Sequence, residues 1–136
     1  MERKTPRGIR NNNPLNIRIS NTLWIGKIKE NTDGEFEQFD TLLHGIRAGF
    51  VLLRTYIRKY NLTTVEAIIN RFAPHQDNNP TQRYIAFVCN NAFINPDTEI
   101  VFENAPLMCR IVNAMIIFEC GRIVEWSTIK QAYAQV

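Results

Sequence analysis

Glu119 is the residue whose type and setting first suggest chemistry. It stands in Ile116-Ile117-Phe118-Glu119-Cys120-Gly121, an apolar stretch in which a carboxylate is costly. The apolar residues before it, Met108, Ile111, Val112 and Met115, recur at helical spacing, and four residues beyond Met115 comes Glu119. The carboxylate therefore continues the stripe that faces a core. A carboxyl held against apolar side chains resists ionisation, so its pKa rises. That is the property a general acid needs near neutral pH. A glutamate at a helix end can also turn its head group out to solvent. Spacing alone leaves both readings open.

The other reactive residue types form no recognisable pattern. Cys89, Cys109 and Cys120 give neither a disulfide framework nor a metal-ligand spacing. His44 and His75 are far apart, and no Ser-His or Cys-His nucleophile pair is evident. A phosphate-cradling glycine motif is missing as well. Neither a metal nor a cofactor is expected.

The elements that must position Glu119 can be read along the chain. With 136 residues, 45% hydrophobic and 21% charged, the chain suits one domain, 1–136, with one core. Residues 1–7 read as a loose basic arm. Asn11-Asn12-Asn13-Pro14 disfavours helix and favours a side-chain-bonded turn, whose amides could hold sugar hydroxyls and acetamides or simply brace the loop. Leu23–Lys29 and Glu35–Phe39, joined by a turn at Asn31-Thr32-Asp33-Gly34, predict a small β-hairpin.

The period then becomes helical. Leu42, Ile46, Phe50, Leu53 and Ile57 form one stripe from about Thr41 to Tyr60, and Gly45 and Gly49 permit a close neighbour. Thr63-Thr64-Val65-Glu66 has capping-box spacing for a second helix that stops before Pro74. Asn79-Pro80 opens a third, with Tyr84, Ile85, Val88 and Cys89 on its apolar side. Asn104-Ala105-Pro106 opens the fourth, which carries Glu119 and is stopped by Gly121. A last amphipathic segment runs from Ser127 to Val136. The expected fold class is mainly α with a small β-hairpin.

Charge and hydropathy limit the partners. The net charge is +3, with Arg3, Lys4, Arg7, Arg10 and Arg18 against Glu2 in the first twenty residues. A basic end suits an anionic cell-wall polymer or nucleic acid, or has no partner at all. No run is long enough to span a bilayer, so no membrane insertion is expected. Met1–Arg7 lacks the apolar segment of a signal peptide, so the chain is expected to be made in a cytoplasm and to need help to leave it.

The segment Arg7-Gly8-Ile9-Arg10-Asn11-Asn12-Asn13-Pro14-Leu15-Asn16-Ile17-Arg18 resembles the opening "RGIRNNNPGNIR" of a family of phage and prophage proteins. These are described as virion structural or lysozyme-like proteins. The likeness runs on through Trp24-Ile25-Gly26, Thr32-Asp33, Phe36-Glu37-Gln38-Phe39, Gly45-Ile46-Arg47-Ala48 and Ala73-Pro74 to Glu119 and Gly121. The family pattern has Gly where Leu15 stands and Asn where Cys120 stands. The same blocks, more distantly, are similar in kind and order to those of flagellar-type peptidoglycan glucosaminidases. There the helix ending Glu-x-Gly comes first; here Glu119-Cys120-Gly121 comes last. A circularly permuted lysozyme-like domain has this arrangement, and it needs only that the termini lie close in space.

The resemblance implies cleavage of peptidoglycan glycan strands by a muramidase, glucosaminidase or lytic transglycosylase, with Glu119 as general acid. The alternative it implies is a non-catalytic virion or tail protein on a lysozyme-like scaffold. Asp33 and Glu35, with Glu37 beside them, are the expected second carboxylate; a lytic transglycosylase needs none. Arg10, Asn11, Asn12, Asn13 and Gln38 are the expected polar contacts to glycan. Trp24 and Tyr84 could stack on sugar rings or serve as core packing. The implied partners are glycan strands and phage virion or tail components, with nucleic acid disfavoured. The implied location is the cell wall or periplasm, reached from a bacterial cytoplasm without a signal peptide, or a virion. The structural requirement is specific: Glu119 must meet a cleft built by the first forty residues.

Overall fold

The computed structural model describes residues 5–136. Residues 1–4 of the expected arm lie outside the described residues. The chain folds into α1 (Arg7–Arg10), α2 (Leu42–Lys59), α3 (Val65–Phe72), α4 (Thr81–Ala92), α5 (Ala105–Cys120) and α6 (Trp126–Ala134), with one 3-10 turn at His75–Asp77.

α5 is the axis of the core. Leu107, Met108, Cys109, Ile111, Val112, Ala114, Met115 and Ile116 are all buried, so this helix is apolar on nearly every side and must be surrounded. It packs against α4, α6 and α1, while α2 lies on α6 and α3 on α4. Its ends follow the sequence signals. The Asn104 side chain accepts from Leu107 N at 3.3 Å. Gly121 takes a left-handed φ of 68° and donates to Ile117 O at 2.8 Å. Thr41 caps α2 in the same way, accepting from His44 N. The α2 stripe is buried from Ile46 to Ile57, with Leu42 at its partly covered edge.

Two caps differ from expectation. Thr64, not Thr63, is the cap of α3 and accepts from Ala67 N; Glu66 is then one place too early to complete a capping box. Pro80 precedes α4 instead of occupying its first turn, and Asn79 donates to Pro74 O.

The close neighbour that the α2 glycines allow is the N-terminal loop. A Cβ on Gly45 would overlap the Asn12 carbonyl, and one on Gly49 would meet the Leu15 side chain. Leu15, large where the resembled family has Gly, is thus seated against a glycine and is fully buried.

The expected hairpin is the main correction. Among the described residues no strand forms. Two isolated antiparallel bridges, Arg18 to Phe36 and Lys27 to Phe39, hold residues 36–39 between two other segments. Side chains consume the backbone donors a ladder would need. Asp33 Oδ1 accepts from Glu35 N at 3.2 Å and Phe36 N at 2.9 Å. Asn31 Oδ1 accepts from Asp33 N and Gly34 N, and its Nδ2 donates to Phe36 O. Such side-chain bonds compete directly with sheet pairing. Arg7, counted in the expected loose arm, instead begins α1 and is ion-paired to Asp33.

Candidate active site

The last turn of α5 brings Glu119 out of the core into a cleft of about 320 Å³. The wall contributed by the first forty residues consists of Leu15, Asn16, Ile17, Arg18 and Phe36. Leu52 and Tyr56 come from α2, Phe72 and Ala73 from the end of α3, and Asp77 and Asn79 from the loop before α4. Asn16 Nδ2 donates to Glu119 Oε1 at 3.2 Å, across 103 residues of sequence. Glu119 therefore meets the N-terminal loop.

Burial raises the Glu119 pKa, and the Asn16 amide and then the Tyr84 hydroxyl partly oppose this by favouring the carboxylate. Beneath it lies Tyr84, 1% exposed. The Tyr84 ring stacks on Phe118 at 4.1 Å and meets Phe72 edge-on at 6.4 Å. Its hydroxyl is buried facing the Glu119 carboxylate, outside ordinary hydrogen-bond geometry. Burial pushes that phenol up, and the neighbouring Glu119 charge pushes it further. Tyr84 is thus core packing beneath the cleft, the second of its two expected roles, and offers no face to a sugar.

The expected second carboxylates do not line this cleft. Asp33 receives Arg7 Nε at 2.8 Å, Arg7 Nη2 at 2.6 Å and Asn11 Nδ2 at 3.0 Å, besides its two backbone donors. These donors, the Arg7 guanidinium first, hold its carboxyl far below the usual carboxylate range. A carboxylate so fully bonded has little tendency to take a proton, so Asp33 serves as a brace. Glu35 is exposed between Arg7 at 3.6 Å and Arg18 at 3.7 Å. Glu37 is fully buried and paired with Lys27 at 3.0 Å.

The expected glycan-binding amides are also committed internally. Asn13 is fully buried, donates to Ile17 O and Glu37 O, and accepts from Ile17 N. Asn12 donates to Phe39 O. Asn11 Oδ1 accepts from Gln38 Nε2, which also bonds Thr32. Arg10 is exposed and does not line the cleft. Trp24 lines a separate surface hollow with Leu23, Lys27 and Lys29.

Sequence reasoning missed Asn16 as an individual contact and Asp77 altogether. Asn16 lay inside the motif but carried no mark that set it apart from its neighbours. Asp77 sat in a stretch legible only as a polar loop. Among the described residues no group of three His, Cys, Asp or Glu could hold a metal ion, and no helix is long and apolar enough to cross a membrane.

The chain is 43% identical over 118 residues to Protein P5 of Pseudoalteromonas phage PM2. It belongs to the P5 family. The match takes in 85% of this chain and 71% of the phage protein. No protein-family model matches. Kinship with P5 agrees with the phage connection that the N-terminal motif implies. It concerns the phage association and does not bear on catalysis.

Proposed function

We propose that this P5 relative is a phage protein carried in the virion, on a lysozyme-like scaffold, and that its cleft cleaves the glycan strands of peptidoglycan. The observation that carries the chemistry is the contact of Asn16 with a raised-pKa Glu119 at the mouth of a cleft walled by residues 15–18 and Phe36. In this reading Glu119 protonates the oxygen of the scissile glycosidic bond as the sugar gains positive charge. Asn16 fixes the carboxyl's orientation. Phe36, Tyr56 and Phe72 give apolar surface for sugar rings, while Arg18 and Asn79 give donors for their polar groups. Virion carriage would bring a wall-acting protein to the cell envelope from outside. Arg7 and Arg18 are drawn toward Asp33 and Glu35, which leaves the basic terminus less charge for nucleic acid.

A second reading keeps the virion placement and drops the chemistry. It is favoured by the internal use of Asn11–Asn13, Gln38 and Asp33 and by kinship with a phage protein whose name carries no activity. Zymography on purified peptidoglycan, with wild type beside Glu119→Gln, separates the two. Clearing by wild type alone supports the acid. Equal clearing removes Glu119 from the mechanism, and no clearing by either leaves the structural role.

A further inference from the structure

We infer that Asp77 is the general base that pairs with Glu119 and makes the cleft a hydrolase. The inference rests on the glycan-cleaving reading above. Proton donation by Glu119 breaks the glycosidic bond, but something must then capture the sugar carbon. A hydroxyl of the substrate can do so unaided, or a water can, if a carboxylate takes its proton. Glu119 and Asp77 are the two carboxylates that line the cleft. They reach it on different segments, one at the end of α5 and one in the loop between α3 and α4.

Asp77 differs from Asp33, Glu35, Glu37 and Asp40 in being uncommitted. Asp33, Glu35 and Glu37 are ion-paired, and Asp40 bonds His44 at 2.6 Å. The Asp77 side chain has no hydrogen-bond or ion-pair partner among the described residues. Its backbone, by contrast, is well held. Asp77 N donates to Pro74 O at 3.1 Å, and Asn78 N donates to His75 O at 3.0 Å. Asn78 turns the chain with a left-handed φ of 63°, and Asn79 Nδ2 closes the loop onto Pro74 O at 2.9 Å. Thr81 Oγ1 ties the next turn to Ala73 O at 2.6 Å. Asp77 is exposed to solvent, and an unpartnered carboxylate on a backbone-held turn can accept a proton from a water in the cleft. The cleft of about 320 Å³ is open to solvent, so a nucleophilic water has room beside a sugar ring.

The step balances with water as the co-reactant. The water oxygen bonds to the anomeric carbon and passes one proton to Asp77. The bond from that carbon to the glycosidic oxygen breaks, and its electron pair stays on the oxygen, which takes the Glu119 proton. The products are two sugar ends, a protonated Asp77 and an ionised Glu119; exchange with solvent restores both.

The test digests purified peptidoglycan in ¹⁸O-water with wild type, Asp77→Asn and Glu119→Gln, and reads the products by mass spectrometry. The expected result is reducing ends carrying one ¹⁸O from wild type, and a hundredfold or greater loss of kcat in D77N, in the usual range for a general base. Added azide, a nucleophile that needs no deprotonation, is expected to restore turnover in D77N as a glycosyl azide. Anhydro products from wild type, or a wild-type rate in D77N, overturn the Asp77 role and leave Glu119 standing, provided E119Q is dead. Slow cleavage in D77N without azide rescue assigns Asp77 to positioning and overturns the base role. No cleavage by wild type overturns the cleft reading and this inference together.

Discussion

Gly45→Ala tests the seating of the N-terminal loop on α2, on which the whole cleft depends. Two effects of opposite sign compete. Alanine is favoured over glycine in a helix interior by about 1 kcal/mol, so α2 considered alone should gain. Against this, the added Cβ would overlap the Asn12 carbonyl oxygen. That oxygen is main chain, and the segment is held at both ends. Asn12 N donates to Ile9 O at 3.1 Å, and Asn12 Nδ2 donates to Phe39 O at 3.0 Å. Overpacking costs about 1–3 kcal/mol, and an immovable carbonyl puts this case at the upper end. The net expectation is a loss of about 2 kcal/mol, or roughly 6–10 °C in Tm for a domain of this size. Gly49→Ala is the matched control. Its Cβ would meet the end of the Leu15 side chain, which can shift by rotation. There the packing cost and the helix gain nearly cancel, within about 1 kcal/mol. Urea and thermal unfolding followed by circular dichroism measure both variants. A Gly45→Ala protein as stable as wild type, or a larger loss from Gly49→Ala, would refute the seating. If the seating is right, Gly45→Ala also pushes Leu15–Arg18 outward, parts Asn16 from Glu119 and lowers any glycan cleavage more than Gly49→Ala does.

Glu119→Gln should stabilise the fold at alkaline pH. The folded protein holds the Glu119 proton more tightly than the unfolded chain does, so stability from this group is complete below the unfolded pKa of about 4.3 and is lost as pH rises through the folded value. The variant and wild type should unfold alike near pH 4 and diverge by pH 8, about 1.4 kcal/mol for each tenfold difference in proton affinity; equal midpoints at pH 8 would contradict a desolvated carboxyl. Asp33→Asn should behave in the opposite sense. The folded Asp33 pKa is depressed by Arg7 and Asn11, so wild type should exceed the variant in stability above about pH 4 and lose that advantage steadily as acid approaches pH 2. Chemical denaturation across that range measures it. Asn13→Ala leaves Ile17 N and Glu37 O unpaired in a fully buried site, while Ile17 O keeps Glu37 N as donor; at about 1–3 kcal/mol per orphaned group, a loss of about 2 kcal/mol or more is expected in urea unfolding. Tyr84→Phe removes the buried hydroxyl that faces the Glu119 carboxylate and helps to hold its pKa down, so the Glu119 pKa should rise further and stability should go on falling to higher pH than in wild type, checked by chemical denaturation across pH.

The helices were legible because their signals are local. The stripe Ile46, Phe50, Leu53 and Ile57, the caps at Thr41 and Asn104 and the stop at Gly121 each depend on neighbours within a few residues. The hairpin was not legible because its outcome turned on side chains outbidding the backbone. Asp-Gly after Asn31-Thr32 signals a tight turn, but Asn31 and Asp33 take the donors themselves. Asn11–Asn13 had two open readings, recognition or brace, and burial decides for the brace: Asn13 is fully buried and Asn11 only 6% exposed. Nothing local distinguishes these amides from Asn16: Asn12 and Asn16 share a left-handed φ, 51° and 53°, yet Asn12 bonds Phe39 O and Asn16 bonds Glu119.

Glu119 was legible as misplaced, but what it faces is a property of the tertiary fold. Its carboxyl is desolvated because α5 is buried almost to its end, and it reaches the cleft only because the next residues cannot continue the helix. A longer α5 would bury the carboxylate against more chain, and an earlier stop would free it to solvent. Gly121, at φ 68° with open space around its missing Cβ, ends the helix through backbone conformation and not through crowding. Any other residue there would carry the strain of a left-handed turn. The Glu-x-Gly ending therefore has a physical reading that does not depend on kinship. The glycine fixes where the helix stops, and the stop fixes how far the acid emerges toward Asn16.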